Sequence, residues 1–168
     1  MNKVEAIIIH HSATNASFQA INEYHRRKWN FRSSLGFYIG YQYFISLNGE
    51  LTQGRADTEE SAHTLGGWNK KSIGICLQGN LDLLYPTSAQ LFALEDLIGK
   101  LQVKHDIFNS KIYLHRELWL TKCPGKNMID WVKSYRESDI TYLQIMINQV
   151  KSAVNELKGL ILLIKKQK

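Results

Sequence analysis

The sequence predicts an α/β fold: a single domain with a central mixed β-sheet flanked by helices, followed by a heptad-patterned C-terminal helix. Three observations carry this expectation. The runs AIIIHH and SIGICLQG are continuously apolar before their polar ends, as strands covered on both faces are. Segments with apolar residues at helical spacing lie between and after them. From Ile140 onward the apolar residues alternate at spacings of three and four without a break. Domain boundaries are expected at residues 1–137 for the sheet domain and 138–168 for the amphipathic helix.

The elements follow in order. Residues 4–10 form the first buried strand and deliver His10 and His11 to its end. Residues 16–30 place Phe18, Ile21, Tyr24 and Trp29 near helical spacing, with Ser17 as N-cap. The stretch YQYFISLNGELTQG sets apolar residues around Asn48-Gly49, a hairpin signal. Ser72–Gly79 is the second buried strand. Residues 86–105 form a capped helix with Leu91, Leu94, Ile98 and Leu101 on one face. A short strand from Lys111 to Leu114 ends at His115, and a loop then leads to Cys123-Pro124-Gly125. A last helix packs Ile129, Trp131 or Val132 and closes the domain.

With 168 residues, 44% hydrophobic and 21% charged, the chain has the composition of a globular protein. Its net charge of +6 favours anionic partners such as nucleic acid, an acidic membrane surface or a cell-wall polymer. No long Arg/Lys arm is present, so nucleic acid is not an expected partner. The N-terminal apolar run is too short for a signal-peptide core, which implies cytoplasmic synthesis. Two cysteines do not make a disulfide framework.

Strand alternation lets only one of His10 and His11 face a given site. His10, His115 and Cys123 are donors that suit zinc, and three protein ligands leave a fourth position for water. Spacing alone leaves two readings open: a catalytic zinc site, or core and surface histidines with a buried thiol. Cys76, inside a strand, reads as a small buried hydrophobe. A Cys76–Cys123 disulfide is the rival, and it would abolish the zinc site.

The segments IIIHHSAT, GYQYFISLNGELTQGR, SAHTLGGWNKKSIGICLQGN and LHRELWLTKCPG, in that order, resemble the type 2 N-acetylmuramoyl-L-alanine amidases, which include phage lysozyme amidases and peptidoglycan recognition proteins. The resemblance covers roughly residues 4–135. It implies zinc held by His10, His115 and Cys123, and a catalytic Tyr41 beside the metal. Thr121 stands where the phage enzymes carry a catalytic lysine; it can donate a hydrogen bond but supplies no cation, and Lys122 is next to it. His63, Trp68 and Asn69 match substrate-groove positions, although His63 and Trp68 also read as residues that pin a loop. The implied function is zinc-dependent, endolysin-like hydrolysis of the bond between N-acetylmuramic acid and L-alanine of peptidoglycan. The alternative is a non-catalytic peptidoglycan-binding module. A phage-type enzyme of this kind reaches the cell wall from the cytoplasm through another protein's membrane lesion.

The C-terminal heptads place Ile140, Ile147, Val154 and Ile161 at a, and Leu143, Val150, Leu157 and Ile164 at d. A homo-oligomer through residues 140–164 is expected. Contact of the C-terminus with a membrane surface is the competing expectation, because lysines follow the apolar cluster.

Overall fold

The protein is described here from a computed structural model: the backbone of residues 3–166, and side chains except those of 139–145, 159, 160 and 162–166. A five-stranded mixed sheet organises the domain. Its strands are β1 (Ala6–His11), β2 (Tyr43–Ile45), β3 (Leu51–Gln53), β4 (Ser72–Leu77) and β5 (Ile112–Leu114), in the order β3-β2-β4-β1-β5. β1 lies between β4 and β5 and runs parallel to both, with Ile9 beside Ile75 and Leu114. β2 is parallel to β4, and only β3 runs antiparallel. Every residue of β1 and β4 is buried, in keeping with their lack of alternation.

Helices cover both faces. On one face, Ile7, Ile9, Ile73, Ile75 and Leu77 meet Leu94, Leu97, Ile98 and Leu101 of α2 (Ser88–His105). Val132 and Tyr135 of α4 (Ile129–Glu137) extend the same core. On the other, Phe44 and Cys76 pack with Ile39 and with Phe18 and Ile21 of α1 (Phe18–Trp29). Ser17 caps α1, and Thr87 with Gln90 forms a capping box on α2. The turn between β2 and β3 contains Asn48 and Gly49, with Gly49 at φ 83°, a backbone angle that favours glycine.

The structure departs from the sequence reading at several helix positions. The buried stripe of α1 is Phe18, Ile21 and His25, whereas Tyr24 is exposed because it sits well off that line at 100° per residue. Trp29, at the last turn, is 41% exposed. Ile129 lies largely at the surface, and Tyr135 takes the core position beside Val132. His115 opens a short helix, α3 (His115–Leu118), rather than a loop.

The last described element, α5 (Asp139–Lys166), lies beside α2. Ile147, Val150, Val154, Leu157 and Ile161 of the heptad stripe are exposed. Ile140, Leu143 and Ile164 lie outside the described side chains. Among the described residues no helix is long and apolar enough to cross a membrane.

A buried carboxylate joins the β2–β3 hairpin to α2. Asp57 accepts hydrogen bonds from Tyr43 Oη (2.6 Å), Lys104 Nζ (2.8 Å) and His105 Nε2 (2.8 Å). Burial alone raises its pKa, but the bonds from Lys104, Tyr43 and His105 outweigh burial and leave it below the usual value. A depressed folded-state pKa stabilises above the unfolded value and is lost as pH falls through the folded one. Asp57→Asn is therefore expected to cost about 1–3 kcal/mol at pH 7, in a deficit that shrinks in acid; urea unfolding at pH 7 and pH 3 checks both.

Candidate metal centre and its cleft

Parallel register brings the first two donors together. Because Ile9 pairs with Leu114, the residues that follow, His10 and His115, leave adjacent strands side by side, with ring centroids 4.5 Å apart. Their turn is braced from behind. Glu117 accepts the Leu114 N–H at 2.7 Å and pairs with Arg136, whose Nε donates to the Ile112 carbonyl at 2.6 Å. The third donor returns on the loop after α3. Arg116 N–H donates to the Cys123 carbonyl at 2.8 Å, and His11 N–H reaches Cys123 Sγ at 3.4 Å. Sγ then lies 3.6 Å from His10 Nδ1. The loop closes tightly: a Cβ on Gly125 would come within 2.3 Å of the Leu81 backbone.

One ligand atom from each of His10, His115 and Cys123 lies within 4.8 Å of the others. This donor set suits zinc, and burial keeps all three donors neutral. Burial lowers the pKa of His10 well below its usual value, helped by His63, His115 and His11, and burial also lowers that of His115. Both are therefore neutral and carry free lone pairs. Burial pushes the Cys123 thiol up to about 12, against the opposing His11 N–H. A bound cation would offset that penalty and favour the thiolate ligand.

His11 serves differently. Its Nδ1 accepts the Leu81 N–H at 3.0 Å, so it fastens the loop after β4 to the edge of the site. Cys76 is a buried free thiol beside Phe44 on the opposite face from Ile75, and Cys123 is also free. No disulfide joins them.

His10, His115 and Cys123 line a cleft of about 390 Å³ together with Tyr41, Thr121, Lys122, Asn80 and Asp82. The Tyr41 ring lies 5.2 Å from that of His10. Burial, with the nearby Cys76 and Cys123 thiols, raises its pKa well above the ordinary value, so it stays a hydrogen-bond donor at neutral pH. Thr121 Oγ1 accepts the Cys123 N–H at 3.2 Å, which leaves its hydroxyl proton free to turn elsewhere. A neighbouring cleft of about 360 Å³ shares Tyr41, His63 and His115, and adds Trp29, Leu65 and Trp119.

Asn69 is a loop clamp: its Oδ1 accepts the N–H groups of His63 and Thr64, both at 2.9 Å, while its edge lines the second cleft. Trp68 faces Tyr113 at 5.7 Å and carries Lys71 over its ring, and it lines neither cleft. His63 is buried, with Nδ1 3.0 Å from His10 Nε2. Sequence reasoning missed Asp82, Trp29 and Trp119. Asp82 was findable, since it follows β4 and ligands collect beyond the carboxyl ends of parallel strands. The exposed tryptophans carried no local signal that separates them from core aromatics.

The family model described as N-acetylmuramoyl-L-alanine amidase matches residues 1–126. Peptidoglycan-recognition protein SC2 of Drosophila melanogaster is 32% identical over 145 residues, covering 80% of this chain and 75% of that protein. Among solved structures, the endolysin N-acetylmuramoyl-L-alanine amidase LysCS of Clostridium intestinale superposes with TM-score 0.69 at 27% identity, covering 79% of this chain and 83% of the other. A Drosophila PGRP-LB mutant solved with tracheal cytotoxin superposes with TM-score 0.68 at 28% identity, covering 80% and 82%.

The close seating of His63 on the sheet is testable. A Cβ added at Gly74 would lie 2.4 Å from the His63 ring. Gly74→Ala is expected to destabilise the fold by about 1–3 kcal/mol through overpacking, read as a lower urea midpoint with an unchanged slope.

Proposed function

The chain belongs to the N-acetylmuramoyl-L-alanine amidase family, and on that premise we propose that it is a zinc-dependent peptidoglycan hydrolase that cleaves the amide bond between N-acetylmuramic acid and the L-alanine of the stem peptide. The observation that carries the reading is the convergence of His10, His115 and Cys123 on one point at the floor of a cleft. Bound zinc would supply a water acidified to a pKa of about 7 and a Lewis acid for the carbonyl.

The chain's own residues do the rest. Tyr41 Oη, kept protonated by burial, donates a hydrogen bond to the oxygen that becomes anionic as the amide carbonyl turns tetrahedral. Thr121 Oγ1, which lines the same cleft, can donate a second. Asp82, a carboxylate on the cleft wall, can take the proton that the attacking water gives up and hand it to the departing L-alanine amine. Trp29 and Trp119 offer apolar ring faces for the sugar beside the scissile bond, while His63 and Asn69 shape the groove between them. The role of Trp68 in the substrate groove rests on motif position alone.

A binding module without turnover is the second reading, favoured by likeness to peptidoglycan-recognition proteins. Retention of Cys123 beside both histidines supports the hydrolase. An endolysin-like role is supported by the likeness to the Clostridium protein. Incubation of purified protein with peptidoglycan, followed by mass spectrometry, is expected to show stem peptides beginning at a free L-alanine amine. Chelator treatment and Cys123→Ser are each expected to reduce the rate by at least about 100-fold while the variant still sediments with peptidoglycan. Binding by wild type without product in added zinc would overturn the hydrolase reading.

Self-association through α5 is part of the same proposal. Its heptad stripe is exposed, with Val150 59% and Leu157 58% accessible. Antiparallel pairing would set the row containing Lys151 and Lys158 against itself, whereas parallel pairing sets it against Met146 and Ala153 and lets the lysine stems cover them. Light scattering is expected to give a mass above one chain, and Val150→Asp with Leu157→Asp a mass of one.

A further inference from the structure

Resting on the metal reading above, we infer that His63 is a positioning residue for His10: its Nδ1 accepts the proton of His10 Nε2 and thereby aims the lone pair of His10 Nδ1 at the metal. The geometry assigns the direction of this bond. His10 Nδ1 is the nitrogen on the Cys123 side, 3.6 Å from Sγ, and must be unprotonated to act as a ligand. A neutral imidazole then carries its proton on Nε2, which faces His63 Nδ1 at 3.0 Å. His63 Nδ1 can only accept, so its own proton sits on Nε2.

Three features hold His63 in this role. Asn69 Oδ1 fixes its backbone N–H at 2.9 Å. Gly74 leaves the space its ring fills, since a Cβ there would collide with the ring. His63 Nε2 is buried without a close hydrogen-bond partner; the Ser72 backbone interacts with the ring more weakly, so the 3.0 Å approach of Nδ1 to His10 is the closest polar contact of the His63 ring. Metal-bound histidines are usually oriented in this way by a carboxylate, a carbonyl or water on their second nitrogen. Here a second imidazole takes that place, and His63 acts from behind the ligand as well as bordering the cleft.

Zinc affinity, measured by competition with a chromophoric chelator, tests the assignment without reference to turnover. His63→Phe keeps the ring volume and removes the acceptor, and is expected to bind zinc about 10–100-fold more weakly. His63→Asn returns an acceptor oxygen near the Nδ1 position and is expected to stay within about threefold of wild type by the same reasoning. Thermal melting of the metal-free proteins checks that both fold, and the visible spectrum of the cobalt-loaded proteins should shift for the phenylalanine variant alone. Zinc affinity of His63→Phe equal to wild type, or a loss in His63→Asn as large as that in His63→Phe, overturns the inference. If His63→Phe does not fold, a loss above tenfold in His63→Asn overturns it. Wild-type protein that binds no zinc would overturn the metal reading itself.

Discussion

The register of β1 against β5 is the constraint on which the candidate metal centre depends. Parallel pairing puts Ile9 beside Leu114, and so releases His10 and His115 from neighbouring strands at the same height. A slip of one residue would send each side chain to the opposite face of the sheet. The slip is resisted because β1 is paired on both edges and wholly buried, so any displacement would expose or clash its isoleucines. With two donors so placed, the third needs only a loop that closes back on them. The Cys123 carbonyl and sulfur each accept a backbone N–H, from Arg116 and His11 respectively.

Burial has opposite consequences for the donors. It keeps the histidines neutral, which prepares their lone pairs, and it holds the cysteine as a thiol, which does not. A bound dication would reconcile the two, because it would favour the thiolate while requiring no change in the imidazoles. Behind the site the fit is close as well: the buried His63 ring fills the space that Gly74 leaves, and the half-buried Asn69 clamps the His63 backbone.

The two faces and two ends of the sheet have separate duties. The face covered by α2 and α4 carries a large apolar core, while the α1 face is smaller and passes into Tyr41, His25 and the clefts. Polar groups gather at the carboxyl ends of β1, β4 and β5, where loops can vary without disturbing the strands. Residues distant in sequence, Trp29 and Trp119 among them, therefore share one groove. The exposed stripe of α5 lies on a separate helix and contributes no wall to these clefts.

Much of this was legible in the residues themselves. Continuous apolar runs determined that β1 and β4 are interior strands, and capping and spacing located α1 and α2. Strand alternation determined that His10 and His11 divide their tasks, and the ordered motifs selected His10 together with His115 and Cys123. Helix pattern alone could not tell that Tyr24 and Trp29 face outward, because an aromatic at helical spacing looks the same whether a sheet or a cleft lies opposite it. Nor could motif position reveal that Asn69 clamps a loop, that Trp68 turns to Tyr113, or that Asp82 joins the wall. Local sequence determined the strands, caps and donor types, since these follow from side chains a few residues apart. Only the tertiary structure decided which nitrogen of His10 faces Cys123 and which faces His63, because that depends on packing between segments 53 and 113 residues away along the chain.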